Sequence, residues 1–585
     1  MHQFPAPQRN LSSRALRALP KNIALLLAML PAAHAFSQST PAAIDQEVLR
    51  EQERARLLRE QLERRPDVRL PSATGVADAT RLTLNEAPCF RIDNIVLIGG
   101  AADKFQWGLA AADQAAVGQE DVATGHCLGA RAIDLVVRRV QNAILARGYV
   151  TTRVLVAPQD LKAGTLTLTL IAGRIRAVRA LPGSDPRVAL WNAVPTAAGD
   201  LLNLRAVEQG LENFKRVPTA DADIQIMPAD GPGAGPGESD LGIKWTQDRR
   251  YRVSLSADDT GSEATGKYQG GVTLSLDHVL GMNDLFYFSM NHDLGFASDR
   301  ATRARAVHYS VPYGYWLLGV TASDSAYFQT VAGASQDYRY AGTSWNGDIR
   351  LARLVFRDAD SKSTVSLRFW ERASRNFIDD TEVQVQRRRM AGWELGLEQR
   401  ENFGAAVLEM HLNYRHGSGA FGAERAPEEA FGEGTSRFAV VTADANLSAP
   451  FTLAGNKLHY SGAWRIQNNR TALLTQDRFA IGGRYTVRGF DGVSSLIGQR
   501  GWLLRNEVGV PLGAGQELYV GLDHGAVGGS SGKNLLGERL TGAVLGLRGQ
   551  LLSAQYDVFA GAPLRKPELF RTAGCTAGFS LNRGF

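Results

Sequence analysis

The sequence predicts an α+β fold of two small modules, followed by an all-β region that closes into a transmembrane barrel, with one charged helix ahead of them. Three observations carry that prediction. Helical periodicity occurs before residue 248 and vanishes after it. Glycine supplies 61 of the 585 residues, which suits strands and tight turns more than a helical bundle. The N-terminus reads as an export signal, yet no later stretch holds the roughly 18 apolar residues of a membrane helix. An exported chain without a helical anchor is periplasmic, secreted, or a barrel in an outer membrane.

Arg14, Arg17 and Lys21 precede the apolar run Ile23 to Leu30, and Ala33-His34-Ala35 is an A-x-A cleavage site. Residues 1–35 therefore read as a signal peptide, with the mature chain beginning at Phe36. Export sets the surroundings of the three cysteines, Cys89, Cys127 and Cys575. In an oxidising periplasm a Cys89–Cys127 bridge can form, with Cys575 left odd, although spacing alone does not fix the pairing. No two cysteines stand at C-x-x-C spacing, so no metal site is expected. The 65 basic against 59 acidic residues leave a net charge of only +6, too small an excess for a chain of this size to point to nucleic acid.

Residues 44–64 are rich in Glu, Arg, Leu and Gln and favour helix. Their apolar stripe is thin: Ile44, Val48, Leu57, Leu58 and Leu62. Such a helix suits water or a wet cavity, and residues 36–65 are assigned to it. Pro66, Pro71 and Pro88 then mark an extended linker over 66–88. The first module, 89–173, opens with the strand "CFRIDNIVLIGG" (89–100). In the amphipathic stretch 128–150, Ile133, Val136, Val137, Val140 and Ile144 recur at helical spacing and Gly148 suits the C-cap. Strand follows in "TTRVLVAP" (151–158) and "GTLTLTLIAGRIRAVRAL" (164–181), the latter running on into the second module. The second module, 174–247, reads as strand 174–181, helix 201–218, strand 220–230, the turn "GPGAGPG" (231–237), and strand 238–247.

Over 248–585 short segments alternate apolar and polar residues, among them "YRVSLSA" (251–257) and "YQGGVTLSL" (268–276), with turn signals between them. Short turns on one side and long polar loops on the other suit a transmembrane barrel better than a soluble sandwich. At about 10 residues per crossing sixteen strands fit, and fourteen or eighteen fit nearly as well. The last segment ends on Phe585, with Phe579, Leu581 and Arg583 on the same face.

Enzymatic signatures fail on context. Gly261 to Lys267 approximates a phosphate-binding loop, but Tyr268 follows it and it joins two strands rather than leading into a helix. H-E-x-x-H is absent. No cofactor is expected.

The segments "CFRIDNIVLIGG", "ARGYVTTRVLVAPQDL", "GRI", "LNLRAVEQGLENFKRVP", "GESDL", "YSVPYGYW" and "RFAIGGRYTVRGF" occur in one order along nearly the whole mature chain. In their succession the chain resembles two-partner secretion transporters, the TpsB proteins of the FhaC, ShlB, HecB and CdiB type in the BamA superfamily. The resemblance implies a plug helix, two POTRA domains in the periplasm and a 16-stranded barrel in the outer membrane. It implies a monomer that exports one large unfolded exoprotein of the TpsA type: a haemolysin, an adhesin or a contact-dependent toxin. An assembly insertase of the same superfamily, which carries more POTRA domains, and a passive porin, which needs none, are the alternatives.

The resemblance also places Val487, Arg488, Gly489 and Phe490 at the tip of a long loop folded back into the barrel, between strands 11 and 12. A guanidinium in that position requires a carboxylate. If Leu518, Val520 and Leu522 face lipid, then Tyr519, Gly521 and Asp523 face the lumen. Asp523 is therefore the expected partner of Arg488, with Glu507 the alternative. POTRA-type sheet edges accept an extended chain as an added strand. The expected capture residues are Leu211, Phe214, Ile224 and Ile226 of the second module.

Overall fold

A computed structural model describes residues 40–63, 66–71, 81–84, 86–116, 119–230, 232–295, 297–529 and 536–585. The signal peptide read at 1–35, and the start of the helical segment at 36–39, lie outside them.

The first helix, α1, runs from Thr40 to Leu62, four residues earlier at its start than the composition suggests. The first module is a three-stranded sheet. Its central strand Thr165–Ile171 runs parallel to Asn94–Gly99 and antiparallel to Arg153–Leu155. A 3-10 helix, Ala102–Asp113, and α2, Ala130–Ala146, cover one face. Alternation in "TLTLTLI" sends Leu166, Leu168 and Leu170 into a core with Phe105, Val136, Val140 and Ile144. Beside it, the short pair Phe90–Ile92 and His126–Leu128 carries a disulfide between Cys89 and Cys127, with Cα atoms 5.3 Å apart.

The second module repeats this plan. Its central strand Glu238–Gln247 is parallel to Arg174–Ala180 and antiparallel to Ala220–Pro228. Helix α3, Leu204–Lys215, is capped by the Asn203 side chain, which accepts from the Arg205 N–H. It buries Val207, Leu211 and Phe214 against Ile224, Leu241, Ile243 and Trp245.

From Tyr251 onward the chain forms a closed antiparallel sheet of sixteen strands, joined by a two-residue piece, Thr381–Glu382, paired to the end of strand 7. Strand 1 (Tyr251–Asp258) pairs with strand 16 (Thr576–Gly584), so no edge is left open. Strand 13 (Gln516–Gly528) shows why the closed sheet suits lipid. Leu518, Val520 and Leu522 stand exposed on the outside, while Tyr519 and Asp523 are buried inside. Arg583 also lies on the outer face, its guanidinium 4.8 Å from the Phe585 ring at the barrel's end. Several turns on the side of the two modules are two residues long, as at 404–405 and 454–455, whereas the opposite side carries the connection 470–499 between strands 11 and 12. The run Gly261 to Lys267 joins strands 1 and 2 without a helix.

The second module is seated on the module-side turns by side-chain amides. Asn213 donates to the Gly314 carbonyl at 2.7 Å, Asn192 to that of Pro312 at 3.1 Å, and Asn283 to that of Ala189 at 2.8 Å. Buried amides tied on both sides of a joint fix its orientation, because leaving one unpaired is costly.

Candidate functional site

The lumen is the functional centre, and the connection 470–499 folds into it. A two-stranded ribbon, Phe479–Ile481 with Leu496–Gly498, carries the turn 482–495 inward. Val487 and Phe490 belong to a buried cluster with Phe479, Ile481, Leu496, Leu503, Val527, Leu540 and Phe570. Phe490 meets Phe570 edge-to-face, with ring centroids 5.8 Å apart. Gly489 has a φ of 93°, a conformation that L side chains rarely adopt.

Arg488 lies between two strands of the wall. Its Nε donates to Asp523 Oδ2 at 2.7 Å and its Nη2 to Oδ1 at 2.9 Å. Its backbone N–H also donates to Asp523 Oδ2, at 2.9 Å. Its Nη1 donates to Glu507 Oε2 at 2.7 Å. The two acceptors weighed as alternatives in the sequence are thus engaged together, because strands 12 (Arg500–Gly513) and 13 are neighbours and both carboxylates point inward. Asp523 is fully buried and Glu507 nearly so. A bidentate pair with a further carboxylate satisfies the fork of donors. The loop backbone comes so close to the wall that a Cβ on Gly542 would meet the Arg488 carbonyl oxygen at 1.9 Å.

A second tether holds the base of the same loop. Asp477 receives Arg372 Nη2 at 2.7 Å and Arg415 Nη1 at 3.4 Å. The Arg415 guanidinium lies 4.1 Å from the Trp370 ring centroid. Sequence reasoning missed this group. Inward alternation of the two arginines was available as a signal, but nothing in the sequence pairs either with position 477.

Helix α1 also lies in the lumen. Arg465 on strand 11 (Asn456–Asn469) reaches Glu53 at 2.6 Å, and Arg59 reaches Asp348 on strand 6 (Asp337–Arg357) at 3.5 Å. Arg54 donates to Thr260 at 3.1 Å, and Arg50 to the carbonyl of Gly492 on the folded loop. A cavity of about 1080 Å³ runs beside the helix, bordered by Arg305, Arg368, Arg505 and Arg548. An obstructed polar passage of this kind must rearrange before anything large passes.

The capture residues read in the sequence need correction. Leu211, Phe214 and Ile224 are 4, 0 and 8% exposed and Ile226 is half-buried. These side chains are spent on the module's own core, because the helix turns its apolar face onto the sheet. The strand that holds Ile224 and Ile226, Ala220–Pro228, is nevertheless an outer strand of its sheet.

The pattern of the haemolysin secretion/activation protein family ShlB/FhaC/HecB matches residues 237–549. The chain belongs to this family. A POTRA domain, ShlB-type, matches at 112–173 and a second POTRA domain at 174–228. Outer membrane transporter CdiB-2 of Burkholderia pseudomallei is 39% identical over 86% of this chain and 87% of its own length. Outer membrane transporter CdiB of Escherichia coli is 26% identical over 92% and 91%. The structure of CdiB from Acinetobacter baumannii superposes with a TM-score of 0.79 at 29% identity, over 93% of this chain and 98% of that one. The protein is an outer-membrane transporter of two-partner secretion, with two periplasmic POTRA domains and a 16-stranded barrel. It is not an enzyme.

Proposed function

We infer that the transporter takes one large exoprotein from the periplasm as an extended, unfolded chain and threads it through a lumen that α1 has left. The barrel filled at rest by α1 and the folded loop carries this reading. An unfolded chain needs a passage wide enough for an extended backbone with side chains, whereas an idle outer membrane needs that passage closed. A constitutive porin is poorly served by an obstructed lumen.

The POTRA domains supply capture. The outer strand Ala220–Pro228 pairs on one side only, and its free backbone groups suit an added strand held by main-chain hydrogen bonds rather than by one side-chain sequence. Arg488, held by Asp523 and Glu507, keeps the loop fixed to the wall while α1 moves. The transporter acts as a monomer, one barrel with its own plug. The signal peptide is removed after Ala35, leaving 36–65 as plug, 66–88 as linker, 89–173 and 174–247 as the two periplasmic domains, and 248–585 as the barrel.

The test is co-expression with a candidate exoprotein, followed by assay of the medium. Export should appear with the intact transporter and disappear when residues 174–247 are deleted from a chain whose barrel still assembles. Export by the deleted form would overturn capture by the second POTRA domain.

A further inference from the structure

Just after α1, residues Asp67–Leu70 lie extended against α3 at the rim of the barrel mouth. Two alternate backbone N–H groups are accepted by two carboxylates of one helix face: Val68 N–H by Glu212 Oε1 at 2.9 Å, and Leu70 N–H by Glu208 Oε1 at 2.8 Å. The intervening carbonyl, that of Val68, accepts from Arg357 Nη2 at 2.5 Å. The Val68 and Leu70 side chains turn inward and pack on the core of the second POTRA domain, while Arg69 points out. The carboxylates are held ready for this task. Glu208 is fully buried and also receives Arg205 at 2.6 Å and Arg357 at 2.9 Å, and Lys362 pairs with Glu212 and, at 2.7 Å, with Asp67. Arg357 and Lys362 flank the turn between strand 6 and strand 7 (Ser361–Ile378), so the seat lies at the module-side rim of the barrel.

We propose that this face is a binding seat for an extended polypeptide with apolar residues at i and i+2, filled at rest by the transporter's own Asp67–Leu70 and taken by the exoprotein once that segment leaves. The proposal rests on the export reading above. The main contacts go to backbone groups and to two apolar side chains, which is the recognition an unfolded cargo of varied sequence requires. Emptying the lumen and emptying the seat are coupled, because α1 and the seated segment are neighbours in the chain. Leu62 and Asp67 are five residues apart, a tether of at most about 18 Å. Helix α1, with 23 residues, is about 35 Å long. While Asp67–Leu70 stays seated, the tether keeps the end of α1 within about 18 Å of the seat and so restrains its withdrawal along the barrel axis.

The test uses the full-length transporter in detergent micelles and the fluorescent synthetic peptide Pro-Asp-Val-Arg-Leu-Pro, read by anisotropy. In the resting protein the tethered segment competes at high effective concentration. Val68→Asp with Leu70→Asp unseats it without altering the face, and should tighten peptide binding at least about tenfold. Val68→Gly with Leu70→Gly, a milder change, should act in the same direction. Adding Glu208→Gln and Glu212→Gln should remove the gain. Equal binding by wild type and both linker variants overturns the seat. A photo-cross-linker replacing Gln209, which lies beside Arg357, should join to the co-expressed exoprotein in secreting cells. Normal secretion with no adduct overturns the exoprotein as occupant. Because peptide binding is read without secretion, a transporter that binds peptide but exports nothing would sink the export reading and leave the seat standing.

Discussion

At the residue scale, the fate of the lumen depends on one guanidinium and the two carboxylates it joins. Removing Arg488 leaves Asp523 and Glu507 facing each other across neighbouring strands, with Arg505 at 3.8 Å and Arg548 at 2.5 Å to share them. Breaking one side of a buried pair costs about 3–5 kcal/mol, a large penalty for a loop otherwise held by one apolar cluster and by the Asp477 tether at its base. Arg488→Ala should therefore lower the temperature at which the barrel loses its heat-modifiable mobility on gels, and abolish secretion. Arg488→Lys should recover little, because an ammonium cannot span Asp523 in two parallel bonds and still reach Glu507. A lysine variant with wild-type secretion would reduce the site to a simple charge. Gly542→Ala, which keeps every charge, should mimic the loss, because its Cβ would collide with the Arg488 carbonyl oxygen.

At the element scale, the first POTRA domain combines a covalent and an ionic staple. The Cys89–Cys127 bond closes a loop over a sequence separation of 38, for which chain entropy predicts stabilisation of about 4 kcal/mol. Reduction should accelerate hydrogen exchange in α2 while leaving the barrel strands protected. Asp121 joins the 81–84 segment to α2 by accepting Leu82 N–H at 2.8 Å and Arg139 Nη2 at 2.5 Å. Burial pushes its carboxyl up, but these two partners outweigh it and hold it below the usual carboxylate range. A depressed carboxylate stabilises fully above its unfolded value of about 3.9, and that contribution fades as pH falls through the lower folded value. Exchange in α2 should quicken below about pH 4 in the wild type. Asp121→Asn should already be quick at neutral pH and lack that acid limb. Elements of this size were legible in the sequence because their signals are local: α2 in the recurrence of Val136, Val140 and Ile144, and strand 13 in the alternation of Leu518, Val520 and Leu522. The Arg488–Asp523 contact was legible because a motif named one partner and alternation oriented the other. The Asp477–Arg372–Arg415 tether was not, since it joins lone charges 105 and 62 positions apart. The seat at Asp67–Leu70 was hidden for a different reason. Two prolines in a polar stretch read as free linker, and only the fold brings Glu208, Glu212 and Arg357 to its backbone.

At the scale of the whole molecule, the two obstructions of the lumen are held by unlike forces, and that sets the order in which they yield. The folded loop is fixed by a buried triad and an apolar cluster, which salt screens little. Helix α1 is held mainly by pairs that border the wet lumen: Arg465 and Glu53 are 22 and 25% exposed, and Arg59, 32% exposed, meets the more buried Asp348. Pairs of that kind contribute about 0–1 kcal/mol each, and they weaken as the screening length shrinks from about 10 Å at 0.1 M salt to about 3 Å at 1 M. The helix should leave first, and salt should help it leave. In planar bilayers, open probability should rise between 0.1 M and 1 M potassium chloride, after correction for the conductivity of the solution. A transporter lacking residues 40–62 should already be open at 0.1 M and show no further rise. Arg465→Ala should shift the wild-type curve to lower salt, because it removes the closest of the exposed pairs. Val68→Asp with Leu70→Asp should do the same without touching the lumen, because it frees the segment to which α1 is tethered. An open probability that ignores salt in the wild type would mean that the helix is held by the buried set after all, and that loop and plug move as one body.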